Sequence, residues 1–246
     1  GECLFCGQEI IFSERKYSEL LYQDGYDNSE LTYNDMHFIG ITGGVGAGKT
    51  AILTYLESNY PCRVMLADEI AHDLMEPGTD CYRKLQGLFA KDQVFEADGQ
   101  IDRKKMAQVL FSDEEKRLAL NNIVHPAVKQ YVIDEMNRER AAQKNEVLIL
   151  EAALLIEEHY DEICDELWYI YTSEENRRER LKLNREYSDE KIDNIFASQL
   201  PESTYREVCK AEIDNNHLPE DAFGQIDALM EARQVEKVQN RQTTEE

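Results

Sequence analysis

Hydrophobic and polar positions follow two periods along this chain. His37-Phe-Ile-Gly-Ile-Thr42 is a short, near-continuous apolar run, the pattern of a strand buried on both faces. Similar runs recur at Cys62-Arg-Val-Met-Leu-Ala67, Val147-Leu-Ile-Leu150 and Leu167-Trp-Tyr-Ile-Tyr171, with a shorter fifth at Ala211-Glu-Ile-Asp214. Between them the spacing becomes that of amphipathic helices: 51–57, about 69–142 without interruption, 174–198, and 221 to about 238. Strands that alternate with helices predict a parallel sheet flanked by helices on both faces, an α/β fold. Residues 1–36 depart from the pattern. They are polar and Tyr-rich, with a short helix candidate at Ser18–Tyr22 and turn signals at Asp24-Gly25 and Asp27-Asn28. They read as an N-terminal extension of unknown role, with 37–238 as the domain and 239–246 as a flexible tail.

Composition narrows the function classes. Of 246 residues 42% are hydrophobic, enough for a packed core. Lys and Arg number 27 against 50 Asp and Glu, a net charge of −23. That argues against a general nucleic-acid or anionic-membrane binder. It leaves room for an anionic small molecule, whose site is built locally. No apolar run approaches the roughly 20 residues of a spanning helix, and the acidic start lacks a signal peptide's basic region. Six dispersed cysteines fit reduced thiols, so a cytoplasmic protein, monomeric or weakly self-associating, is expected. Cys3-x-x-Cys6 lacks a second ligand pair for zinc and a strand before it for redox chemistry.

The sharpest chemical signal is Gly43-Gly44-Val45-Gly46-Ala47-Gly48-Lys49-Thr50, a full match to G-x-x-x-x-G-K-[ST] between a strand and a helix. The glycines let the backbone curl so that successive N–H groups face phosphate oxygens, and the helix beginning near Ala51 adds its positive end. Lys49 supplies a charge for the β- and γ-phosphates, and Thr50 a hydroxyl for Mg²⁺. ATP and Mg²⁺ are therefore expected. A guanine-reading Asn/Thr-Lys-x-Asp segment is absent, as are His-Arg-Asp and Asp-Phe-Gly. A small-molecule kinase remains.

Further segments resemble the dephospho-CoA kinases. Ile39–Thr50 is similar to that family's opening strand and loop. Ala67-Asp68-Glu-Ile-Ala-His72, Glu76-Pro-Gly78, Asp98-Gly-Gln-Ile-Asp-Arg103 and Val109-Leu-Phe111 follow in its order. So do Leu120-Asn-Asn-Ile-Val-His125-Pro126, Glu151-Ala-Ala-Leu-Leu-Ile-Glu157, Gln199 and Asp214-Asn215-Asn216. Leu66, Ala47 and Ala153 stand where the family has Asp, Ser and Pro, and residues 1–36 have no counterpart. The resemblance implies a P-loop kinase fold with a helical substrate-binding insertion over about 75–142 and a helical lid over about 174–198. It implies ATP-dependent phosphorylation of the ribose 3′-hydroxyl of dephospho-CoA. A nucleotide kinase of the cytidylate type, or a nucleotide-binding paralogue without catalysis, is the alternative.

Under that resemblance Asp68 acts as catalytic base beside Lys49 and binds substrate; read from sequence alone, it is equally a helix N-cap. Glu151 holds Mg²⁺ with Thr50, or is a helix-start charge. The stretch Glu174–Arg185 has five basic and three acidic residues, with Arg178, Lys182 and Arg185 on one helical face. In the implied lid, Arg180 and Arg185 are the expected phosphate contacts. Arg103 and His125 lie in the implied substrate-binding insertion, His125 alternatively capping a helix whose first turn holds Pro126. Asn215 and Asn216 face the adenine of ATP or form a turn. Tyr82 stacks on a base or is an ordinary core tyrosine.

Overall fold

The computed structural model describes residues 36–244. The expectations for Ser18–Tyr22, the two N-terminal turns and Cys3-x-x-Cys6 lie outside the described residues. All five apolar runs are strands: β1 (His37–Thr42), β2 (Cys62–Leu66), β3 (Val147–Glu151), β4 (Glu166–Tyr171) and β5 (Ala211–Asp214). They form one sheet in the order β2-β3-β1-β4-β5, every pair parallel. Ile41 and Leu66 both pair in register with Glu151, so β1, β2 and β3 end level at one edge.

Alternation along the strands divides the interior in two. Phe38, Met65, Leu148, Leu150 and Leu167 face one side, where they pack with α2 (Ala67–Leu74), α3 (Asp80–Leu88), α4 (Arg103–Ser112) and α5 (Glu114–Ala142). Ile39, Ile41, Ile149, Trp168 and Ile170 face the other, against α1 (Lys49–Asn59) and α9 (Pro219–Thr244). The remaining helices are α6 (Glu174–Arg185), α7 (Asp189–Ala197) and α8 (Glu202–Val208).

Helix boundaries differ from the periodicity in several places. The stretch 69–142 is four helices, because Gly78 (φ 100°) follows Pro77 after α2 and Gly99 (φ 87°) turns the chain between bridged Phe95 and Ile101. Pro126 lies inside α5, so His125 caps nothing and that alternative is corrected. The stretch 174–198 is two helices, broken at Glu186 (φ 54°) and restarted by Ser188, whose side chain accepts from Lys191 N. The terminal helix spans Pro219–Thr244, six residues beyond the expected end near 238.

Candidate active site

Gly43–Gly48 lies at the C-terminal edge of β1, the central strand, where ligands bind in open parallel sheets. Gly48 has φ 86°, and a Cβ there would meet Asn215 Nδ2 at 2.5 Å, so only glycine turns the loop into α1. Lys49 Nζ donates to Gly43 O at 2.8 Å and stands 3.4 Å from Glu151 Oε1. Thr50 lies exposed in the first turn of α1. Glu151 is the last residue of β3, and no helix starts behind it, so it is not a helix-start charge. Lys49, Thr50 and Glu151 thus meet at one strand edge.

The second strand ends at Leu66, which occupies the cap position of α2 without a side-chain bond. Asp68 is in the first turn, so the N-cap alternative is corrected too. It lines an open, shallow cleft together with Ala71, His125, Val128, Ala153 and Tyr160. Leu66 is in register with Glu151, so Asp68 follows the strand on one side of β3 and Lys49 the strand on the other.

Across the cleft from Asp68, His125 Nδ1 lies 2.6 Å from Glu158 Oε1, both side chains nearly buried. Lys129 Nζ donates to the carbonyls of Glu158 (2.7 Å) and His159 (3.1 Å), and burial pulls its pKa down. Arg103 Nη2 is 3.7 Å from Glu76 Oε1, each half-exposed. One turn beyond Asp68, burial and then the charge of Arg103 lower the pKa of His72. Tyr82 is buried, donates to Gly99 O and packs edge-on against Phe95 at 5.7 Å, which is the core reading.

The residues of the expected lid divide by helix face. Arg178 pairs with Asp193 (2.6 Å), Asp189 and Glu174, and Lys182 with Asp189 (2.6 Å). That face ties α6 to α7. Arg185 is exposed at the end of α6, its guanidinium 6.0 Å from the Tyr187 ring. Arg180 does reach the loop, donating to Ala47 O at 3.2 Å and Asn215 O at 2.7 Å. Asn215 Nδ2 and Thr172 Oγ1 donate to the same Ala47 carbonyl at 2.7 and 3.0 Å. Asn216 Oδ1 accepts from Ser173 N (2.8 Å) and Asn176 Nδ2 (2.9 Å). Both asparagines thus brace the loop and the start of α6.

Four residues that motif reading passed over are here: Thr172, Arg177, Lys129 and Glu158. Lys129 alone left a signal, since it follows His125 by one helical turn.

The sequence model of one family, described as dephospho-CoA kinase, matches residues 37–220. A dephospho-CoA kinase from Shouchella clausii is 32% identical over 192 residues, covering 78% of this chain and 96% of that protein. One from Streptococcus mutans is 32% identical over 199 residues, covering 80% and 98%. Among solved structures, a Thermus thermophilus protein superposes with a TM-score of 0.66 at 27% identity, over 80% of this chain and 97% of that one. The dephospho-CoA kinase of Campylobacter jejuni shares the fold, with a TM-score of 0.56 at 18% identity over 81% and 98%.

Proposed function

The chain belongs to the dephospho-CoA kinase family and is a phosphotransferase; from that premise we propose how its residues divide the reaction. The acceptor is dephospho-CoA and the donor is ATP. The 3′-hydroxyl oxygen attacks the γ-phosphorus, the bond to the β-phosphate oxygen breaks, and ADP leaves. Asp68 takes the hydroxyl proton. A sugar hydroxyl is a weak nucleophile, so alignment and a carboxylate acceptor both matter. The observation that carries this reading is the register of the sheet edge. Leu66, Glu151 and Ile41 are level, and Asp68 follows Leu66 by two residues at the same edge as the Lys49–Glu151 pair, which supports this division of roles.

The loop backbone from Gly43 to Ala51 and Lys49 would bind the donor phosphates. Arg180, Asn215 and Asn216 shape the nucleotide side through the loop, and Arg185 would join on lid movement. The cleft bearing His125 and the nearby Arg103 would hold the acceptor. The oxygen donors at Thr50 and Glu151 suit Mg²⁺, a hard cation that takes few protein ligands and completes its shell with phosphate and water. Among the described residues no group of three or more metal-ligating side chains occurs, which agrees with a metal bound mainly through substrate. Held there, Mg²⁺ would supply charge neutralisation for the transferring phosphate.

No helix among the described residues is long and apolar enough to cross a membrane. A cytoplasmic enzyme, monomeric or weakly associating and acting on a small molecule rather than nucleic acid or membrane, belongs to the same proposal.

The test is ADP formation by the purified protein with ATP and Mg²⁺ against a panel of acceptors. Dephospho-CoA should give turnover well above background. Turnover confined to a nucleoside monophosphate would establish the cytidylate-type reading instead, and nucleotide binding without turnover the non-catalytic one.

A further inference from the structure

The lid carries one arginine that neither the spacing on its helix nor the family motifs singled out. We infer that Arg177 is the lid group that meets the transferring phosphate, with Gln199 and Phe196 holding it in place. This rests on the kinase reading.

Arg177 lies directly over the phosphate loop. A Cβ added at Gly44 would collide with Arg177 Nη1 and would come within 3.0 Å of Gln199 Oε1. The backbone of α6 lies equally near, since a Cβ at Gly46 would stand 3.1 Å from both Arg177 O and Leu181 Cγ. The guanidinium is fixed from two sides. Nη1 donates to Gln199 Oε1 at 2.7 Å, and the group stacks 4.3 Å from the centroid of Phe196.

Its charge and one donor stay unspent. No carboxylate pairs with Arg177 among the described residues, whereas Arg178 and Lys182 on the same helix are ion-paired. Arg180 spends its guanidinium on Ala47 O, Asn215 O and Thr172 Oγ1. The Nε–H of Arg177 is buried with no acceptor. A buried donor without a partner is costly. The Nη1 edge faces Gly44, so an anionic oxygen on the loop would meet the guanidinium there, and its geometry suits phosphate. A pre-placed donor of this kind acts where charge develops during transfer.

Arg177→Gln keeps a hydrogen-bonding side chain against Gln199 and removes the charge. Arg177→Lys keeps a charge. The expected result for Arg177→Gln is a kcat about 10²–10³-fold below wild type. The KM for dephospho-CoA and the melting temperature should stay nearly unchanged. Arg177→Lys should recover part of the rate. Calorimetry should show ATP bound about tenfold more weakly by Arg177→Gln and AMP bound as by wild type. A role confined to lid packing would lower the melting temperature and leave the ATP-to-AMP affinity ratio alone; that result overturns the proposal. So does an Arg177→Gln kcat within threefold of wild type. Absence of wild-type turnover would instead reject the kinase reading, and the affinity ratio would still decide the role of Arg177.

Discussion

Asp68 and Lys49 follow the two strands that flank β3, and their substitutions should fail differently. Asp68→Asn keeps the shape and removes the proton acceptor, so turnover should fall about 10²–10⁴-fold. ATP affinity, read by calorimetry, should hold. Unaltered turnover would remove Asp68 from the mechanism. Lys49→Ala should weaken ATP binding itself, because it strips the charge that the loop aims at the phosphates; ordinary affinity would contradict the loop assignment. The loop residues were legible in sequence because their chemistry depends on local spacing. Glu158 and Arg177 were not. Their partners lie 33 and 22 residues away, and only the folded chain brings them to His125 and Gln199.

Elements follow the same division. All five strands could be read from their apolar runs, since a parallel sheet covered on both faces demands them. The insertion could not be divided correctly by periodicity, because short helices joined by tight turns keep a helical apolar spacing overall. Pro77-Gly78 and Asp98-Gly99 were the missed punctuation. Pro126 misled in the other direction, sitting mid-helix in α5. At the junction of loop and α1, Gly48→Ala forces a left-handed backbone on a side chain and drives it into Asn215. The cost should be at least about 1–2 kcal/mol, measured by urea denaturation. Nucleotide affinity should fall with it. A variant as stable as wild type would show that the loop relaxes around the added methyl.

At the level of the whole molecule, the net charge is −23. One buried carboxylate is central to the base of the sheet. Glu166 takes bonds from Trp168 Nε1 (2.7 Å), Lys210 Nζ (2.9 Å) and Arg233 Nη2, with His37 Nε2 at 3.8 Å. Burial alone would raise its pKa, yet these donors and charges hold it far below the usual carboxylate range. A folded pKa below the unfolded one stabilises the fold above the unfolded value, roughly 4.3 for Glu. That contribution should erode as pH falls further, and Glu166→Gln should flatten the acid limb of a melting-temperature profile. At neutral pH the same variant should lose about 3–5 kcal/mol, since Arg233 and Lys210 are left facing a neutral amide. An unchanged acid limb would place the pH sensitivity elsewhere.

The division of the interior reaches further. Leu181 of α6 and Ile192 of α7 are buried, yet neither belongs to the core on either side of the sheet. We predict that α6 and α7 open more readily than the sheet. Deuterium should enter the amides of 174–197 well before those of β1 and β3. Bound ATP should slow that entry in the lid while leaving the sheet's exchange clock almost untouched.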